Sequence, residues 1–555
     1  MWTANVSTRR EGDSMKQTIL FNGKIYQERE KFAQAVLIED GVIRMVGNND
    51  EVLALAAPDC DRIDCEGKTV IPGLNDSHMH LLMVGESLAQ VNISGCTSIE
   101  EMVARCKKFM AENPDACRHG LHSVGWNQDS FTGDKRIPTR YDLDKISTEI
   151  PIVLERICGH IVTGNSKVVE MLGLTGTSPQ YDGGIFEIGP DGTPNGVFAE
   201  NACHHALSTI PPYTIEEHEG LLLRAMDYAV AHGLTSVQSN DVGTSTHDYE
   251  RGFAMFHRVY DEGRAKLRYR HQVSFYTPTD YAEFLKNGEY KNGKYEKNGW
   301  LQLGPLKLFK DGSLGARTAT MRHEYLDDPG NYGVEATSDE LMDEFCRLAD
   351  WVDMQVVTHV IGDAAIEHTV ASYEKVMHDG KNPLRHGLVH CQITDLPLLR
   401  RIAKDEILAL YQPIFLEYDL HAVESRCGKA LSSTSYAFGT LDKLGGKISY
   451  GTDSPVEDCN PFPNIYSAVT RKDLTGDPGE GFYPQECVDV YTAVDAYTAG
   501  SAYAEFQEET KGRIKGGCLA DLVILDKDIF TCDPMEIKDI LPILTMVGGE
   551  IVYHK

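Results

Sequence analysis

The chain has 555 residues, 42% of them hydrophobic and 25% charged, a composition ordinary for a soluble globular protein and a length too great for one simple core. Lys and Arg number 53 against 83 Asp and Glu, and the formal net charge of −30 repels phosphate backbones and anionic membranes, which argues against nucleic acid or membrane as a partner. The 14 Cys are scattered without a Cys-x-x-Cys pair, no apolar run reaches the roughly 18 residues of a membrane span, and residues 1–10 lack the apolar core of a secretory signal, so a reduced cytoplasmic protein is expected.

Residues 1–14 read as a polar, disordered tail, with Met15 a second candidate start. From Thr18 to Val46, apolar runs alternate with Asn22-Gly23 and Asp40-Gly41, pairs favoured in two-residue hairpin turns, which predicts a small antiparallel sheet. Val70-Ile-Pro-Gly-Leu-Asn-Asp-Ser-His78-Met-His80 then places two histidines one residue apart at the end of an apolar segment. On a strand both imidazoles share one face, and neutral imidazole is a common metal ligand, so the pair reads as half of a metal site. Roughly 120 residues, from about Ser98 to Pro212, are rich in Gly, Pro, Asp and Asn; a segment of that length predicts a functional insertion or lid.

Beyond it the period changes. Glu216 to His232 carries Leu221, Leu222, Ala225, Met226 and Ala229 at helical spacing, ends at Gly233 and is followed by the strand-like Leu234–Gln238. Thr337 with Glu340 forms a candidate capping box, Leu341, Phe345, Leu348 and Val352 an apolar stripe, and Gln355–His359 a strand. Thr394–Ala403 followed by Ile407–Leu410 repeats the pattern. Alternating helix and buried strand predicts an α/β fold with a parallel sheet, and this many units favour a closed (β/α)8 barrel. Ala520–Asp526 and Thr545–Tyr553, around Gly548-Gly549, read as strands again. The two ends, 15–72 and 508–555, are therefore expected to form one β-sandwich, leaving 73–507 for the barrel.

His359 and His390 each end an apolar run, Asp453 follows Lys447-Ile-Ser-Tyr-Gly-Thr, and Lys307 sits in the apolar Leu301–Gly312 segment. Barrel active sites are built at the C-terminal ends of the strands, so residues there are placed for chemistry. A buried lysine loses proton affinity, and its neutral amine can add carbon dioxide to form an anionic carbamate. Singly, a strand-end histidine is more often structural, a lysine snorkels, and an aspartate before Ser454-Pro455 makes a turn. Four such histidines, one lysine and one aspartate at barrel intervals have no structural reason to coexist.

The segments Pro72–His80, Lys307-Leu-Phe-Lys-Asp-Gly-Ser-Leu-Gly, Thr358-His359-Val-Ile-Gly-Asp363, His390-Cys-Gln and Gly451-Thr-Asp453-Ser-Pro-Val resemble the amidohydrolase superfamily. More narrowly, they resemble the amidohydrolase 3 branch, which includes N-substituted formamide deformylase. Gly125-Trp126, Pro138–Asp144, Gly159-His160, Asn165-Ser166 and Gly196–Glu200 of the insertion, and Gly512–Val523 near the C-terminus, are similar to that branch too. The resemblance implies that His78 and His80 bind the more buried metal, that carbamylated Lys307 bridges two metals, that His359 and His390 hold the second, and that Asp453 contacts the first. Lys310 competes with Lys307 for the bridge; residues three apart on a strand face opposite sides, and the family's motif, with its lysine five residues before the Gly of Asp-Gly, selects Lys307.

The activity implied is hydrolysis of a non-peptide carbon–nitrogen bond, a linear amide such as an N-substituted formamide or N-acyl amine, by a metal-activated hydroxide. One or two Zn2+ and carbon dioxide, as the lysine carbamate, are the implied cofactors, and Asp453 the implied general base and proton shuttle. Trp126, His160 and Arg317 are candidates for binding substrate or stabilising an oxyanion, with packing, hydrogen-bonding and ion-pair roles as their alternatives. Tyr411, Phe415 and Tyr418 either shape an apolar side of the pocket or belong to the core. Hydrolysis of an ester, lactone or cyclic amide, and a catalytically silent binding barrel, are the alternatives; a homodimer is the family's usual habit.

Overall fold

A computed structural model describes residues 16–156, 160–245 and 248–555; the expected tail, Met15 and Gly159 lie outside them. The chain divides into two compact units, one running to Met83 and resuming at Leu222–Lys555, the other Val84–Leu221.

The first unit holds eight parallel strands in chain order: β1 (Leu74–Met79), β2 (Leu234–Ser239), β3 (Arg268–Val273), β4 (Leu301–Phe309), β5 (Val356–Val360), β6 (Gly387–His390), β7 (Leu408–Tyr411) and β8 (Lys447–Tyr450). They make the expected α/β barrel. Hydrogen-bonded strand pairing runs from β1 through β8 and stops there, and the ring is completed just past the strand ends. Asp453 N donates to His78 O (2.8 Å), His80 N to Ser454 O (2.8 Å), and the buried Asp76 carboxylate accepts from Thr452 N (3.0 Å) and Oγ1 (2.6 Å). Closure is therefore made at the C-terminal end, by the segments that carry His78, His80 and Asp453.

The helix–strand units lie close to their predicted places. Helix Ile215–Ala231 ends before Gly233, whose φ of +84° suits a residue without Cβ, and leads into β2. Helix Asp339–Trp351 precedes β5. Its cap is Ser338, whose side chain accepts from Leu341 N, and not Thr337: the Thr337 hydroxyl donates to Phe309 O and is committed to the end of β4. Helix Leu396–Lys404, capped by Asp395, precedes β7. Strand β3 (Arg-Tyr-Arg-His-Gln-Val) was not legible, because its polar side chains are buried and each charge is met from elsewhere in the fold.

Both ends of the chain share a six-stranded sheet, ordered Glu550–His554, Pro542–Val547, Leu522–Leu525, Thr69–Pro72, Lys24–Glu28, Lys31–Ala33. A four-stranded sheet of Val42–Gly47, Ala35–Glu39, Gln17–Phe21 and Asp61–Asp64 faces it across a core that includes Leu20, Ile25, Val36, Val70, Leu522 and Met546. Asp40-Gly41 and Gly548-Gly549 turn true hairpins, all four residues at positive φ. Asn22-Gly23 does not: Gln17–Phe21 pairs in one sheet and Lys24–Glu28 in the other, so this turn carries the chain between layers.

The second unit begins before Ser98 and ends after Pro212, wider than the predicted insertion. It is a folded α/β body and not a loop. Its five-stranded sheet runs Gly184–Ile188, Pro194–Glu200, Ile161–Gly164, Ile152–Arg156, Leu121–Trp126, and it has its own apolar cores, one including Trp126, Phe131 and Leu154, the other Val162, Phe186 and Phe198. Helix Ile99–Glu112, capped by Ser98, belongs to it.

Candidate metal centre

The barrel brings the six ligand candidates to one end. His78 closes β1 and His80 lies just beyond; His359 is in β5, His390 ends β6, and Asp453 follows β8. The Nε2 atoms of His78 and His80 lie 3.2 and 3.3 Å from Asp453 Oδ1, close enough for the three to share one ion. Ring centroids step 5.3 Å from His80 to His78, 5.8 Å to His390 and 4.5 Å to His359, so the four imidazoles form one continuous cluster. His390 and Asp453 sit at φ of +74° and +58°, a left-handed backbone that costs free energy in residues with a Cβ and that concentrates at functional sites.

Each imidazole is oriented by a neighbour. The Gln272 amide donates to Ser77 O (2.9 Å), so its carbonyl faces His78 Nδ1 (2.6 Å); that nitrogen carries the proton and Nε2 keeps a lone pair for a metal. Gln412 does the same for His390, donating to Leu410 O (3.1 Å) and accepting from Nδ1 (2.7 Å). Asn240 O faces His80 Nδ1 at 2.8 Å. His359 is reversed: Nε2 donates to Gly312 O (3.0 Å), which leaves Nδ1 as its ligand atom.

The electrostatics put three of the four histidines in a metal-binding protonation state. Burial lowers His78 and His359 to about 4 and His390 well below the usual imidazole value, so all three are neutral at pH 7. Burial also lowers His80, but Asp453 and Asp241 outweigh it and raise that group. For Asp453 burial acts upward, and its close contacts with His78 and His80 prevail, holding the carboxyl well below the usual range. Burial brings Lys307 down to about 7, partly opposed by Asp453. Its Nζ lies 3.7 Å from the centroid of the Phe309 ring.

Lys310 is occupied elsewhere: its ammonium is held by Glu335 (2.5 Å), Asp339 (2.6 Å) and Thr337 O (2.7 Å). A lysine so paired is turned away from the histidines. Glu335, Asp339 and His368 also cluster, but the Lys310 ammonium already contacts both carboxylates.

The other candidates are placed as follows. Trp126 is wholly buried in the core of its own unit, its indole N–H donating to Leu154 O (2.9 Å). His160 is exposed and paired with Glu200 (3.1 Å). Arg317 makes a two-pronged pair with Asp327 (3.1 and 2.7 Å). These are the packing, hydrogen-bonding and ion-pair positions of each residue. Tyr411 is fully buried, Tyr418 is exposed, and Phe415 stacks on His390 at 5.5 Å. Residues not anticipated are Gln272 and Gln412, which orient His78 and His390, Asp76, which closes the barrel, and Asp311, which accepts from Thr320, Ile361 and Gly362 N and lies 3.7 Å from His359 Nε2. Burial raises Asp311 to about 7. Its place in Lys-Asp-Gly312, at a strand end, was the available signal.

Imidazole nitrogen, carboxylate oxygen and a buried lysine form a donor set suited to a divalent transition ion, and these residues fit one. The amidohydrolase family model matches residues 61–553. The chain belongs to the amidohydrolase family. YtcJ of Bacillus subtilis (strain 168) is 31% identical over 542 residues, covering 97% of this chain and all of that protein. N-substituted formamide deformylase of Arthrobacter pascens is 24% identical, covering 98% and 99% of the two chains. Among solved structures, an uncharacterized metal-dependent hydrolase of Pyrococcus furiosus superposes with a TM-score of 0.75 at 29% identity, covering 93% of this chain and 100% of that one. This amidohydrolase is thus a hydrolase of the metal-dependent kind, and among its described residues no helix is long and apolar enough to cross a membrane.

Proposed function

We propose that this amidohydrolase cleaves the carbon–nitrogen bond of a linear, non-peptide amide, an N-substituted formamide or N-acyl amine, with zinc as its metal. The single observation that carries the reading is the convergence of His78, His80, Lys307, His359, His390 and Asp453 at one end of the barrel, with the imidazoles oriented from behind. His78, His80 and Asp453 would hold one ion, His359 and His390 a second, and Lys307, as its carbamate, would stand between them. Zinc, when bound, polarises the amide carbonyl and acidifies water.

The chain's own residues do the rest. Lys307 Nζ, brought to about 7 by burial, is available as the neutral amine that adds carbon dioxide, releasing a proton and leaving a carbamate anion. Asp453, ionised and adjacent to the histidines, accepts the proton of the attacking water and returns it to the departing nitrogen, so that the amine leaves neutral. Gln272 and Gln412 fix His78 and His390 in one tautomer and prevent ring rotation. A relative matched over nearly the whole of both chains is an N-substituted formamide deformylase, which supports a linear amide as the substrate class.

The test is a panel of N-formyl amines, N-acyl amino acids, lactones and hydantoins offered to zinc-loaded enzyme with bicarbonate, with metal content measured on the same samples. Turnover of N-formyl or N-acyl amines is the expected outcome. Turnover confined to lactones or hydantoins would replace the proposed bond, and a protein that retains less than about a tenth of an equivalent of metal and stays inert would be a binding barrel.

A further inference from the structure

Outside the metal centre, helix Tyr249–Asp261, which follows β2, and helix Pro278–Phe284, which follows β3, enclose a cavity of about 460 Å3, within the range that takes a small organic molecule. Its walls are aromatic. Phe253 stacks on Tyr290 at 4.0 Å, Tyr249 on Phe275 at 4.8 Å, and Phe284 lies 4.9 Å from Phe275. Phe253, Phe275 and Tyr290 are buried as residues, so the walls are supported from behind and the cavity does not depend on a loose surface ring.

The charge around it has one sign. Glu250 and Glu283, one from each helix, line the cavity and are exposed, and their carboxylates make no hydrogen bond or ion pair among the described residues. Glu289, also in the lining, is paired with His257 at 2.9 Å. No Lys or Arg lines the cavity. Aromatic faces carry negative electrostatic potential, and two unpaired carboxylates reinforce it, so an anion is repelled and a neutral guest gains only apolar contact. A guest with both a positive charge and an apolar body satisfies walls and rim together.

We infer that this cavity binds an organic monocation, a protonated arylalkylamine or quaternary ammonium compound, with its apolar body against the wall of Phe253, Phe284 and Tyr290 and its charge toward Glu250 and Glu283. None of the metal-centre residues lines the cavity, so the inference stands apart from the proposed reaction.

The experiment is titration calorimetry on the full-length, metal-loaded protein with phenethylammonium and benzyltrimethylammonium chloride, and with neutral 3-phenylpropanol as the uncharged counterpart. Saturable binding of both cations, with the alcohol weaker by about tenfold or more, is expected. Glu250→Gln with Glu283→Gln should weaken the cations by about tenfold and leave the alcohol unchanged, whereas Phe284→Ala should weaken all three. Absence of saturable binding up to about 10 mM, or equal affinity for the alcohol, would overturn the proposal. Cation binding indifferent to the double substitution would place the ligand elsewhere and overturn it equally. Self-association lost in the double variant, without cation binding, would assign the cavity to a second copy of the chain.

Discussion

The two ends of the barrel both bury charged and polar side chains, and they treat them in opposite ways. At the N-terminal end the buried charges of Lys511 and Arg268 have carboxylate partners. Lys511 meets Glu505 at 2.6 Å, with Asn75 and Ser236 completing the network, and Arg268 grips Asp521 at 2.8 and 3.0 Å. At the C-terminal end, His78, His359 and His390 are held neutral with one ring nitrogen of each anchored and the other left without a protein donor, and among the described residues Lys307 Nζ hydrogen-bonds only to Leu308 O, at 3.3 Å. Buried charge satisfied by a partner is architecture; buried donors oriented and left open are a binding site. The comparison can be broken or sharpened by substitutions at each end.

The largest effect is expected at Asp453. Asp453→Asn should keep the fold while lowering kcat on any amide turned over by about 10²- to 10⁴-fold, because the carboxylate that moves the proton is gone. Near-normal turnover, with circular dichroism unchanged, would remove Asp453 from the reaction. Lys307→Ala should come next: metal content should fall, with partial recovery on adding a short carboxylic acid that replaces the carbamate. Unaltered metal content would leave the site without a lysine bridge.

At the opposite end, Asp521→Asn leaves the Arg268 charge buried without its counterion and should destabilise the protein by about 3–5 kcal/mol while sparing metal content. Burial by itself would raise the Asp521 carboxyl, but Arg268 outweighs it and the group lies below its ordinary value. A carboxyl lowered on folding contributes stability that is fully present above its unfolded pKa of about 3.9 and is lost as pH falls through the folded value. Denaturant unfolding of the wild type should therefore lose stability below about pH 4 more steeply than the variant does. The smallest effect belongs to Lys310→Gln: Lys310 is buried but Glu335 and Asp339 are each nearly half exposed to water, so losing these charged hydrogen bonds should cost about 1–3 kcal/mol and leave the metal in place.

The candidate site was more legible than the fold around it. His78, His80, Lys307, His359, His390 and Asp453 could be named because ligand chemistry is carried by residue type, because each lies in or just past a mostly apolar run, and because the motifs around them resemble a family whose ligand set can be carried over. The residues that orient them could not. Gln272 is 194 positions from His78, and Gln412 sits among aromatics, so nothing local marks either as the second partner of an imidazole. Strand β3 escaped for a related reason: Arg268 breaks the apolar pattern of a buried strand, and its partner Asp521 lies 253 residues away. The turn Asn22-Gly23 shows the converse. Its local chemistry was read correctly as a turn, but which sheet each flanking strand joins depends on Val36, Ile38 and the parallel strands Asp61–Asp64 and Thr69–Pro72.

What the sequence by itself determined is what short-range physics encodes: periods of 3.6 and 2, turn pairs such as Asp40-Gly41, and donor types at strand ends. The tertiary structure supplied the physical reason that, of two lysines three residues apart, the one the family's motif selects lies with the histidines. Lys307 is buried with the histidines, while Glu335 and Asp339 draw Lys310 away. It also decided that the insertion is a folded body with its own cores, and that β1 and β8 meet through Asp76 and Thr452. The reason is the same in each case. A side chain's charge state and direction depend on the groups that surround it after folding, and those groups come from segments hundreds of residues apart.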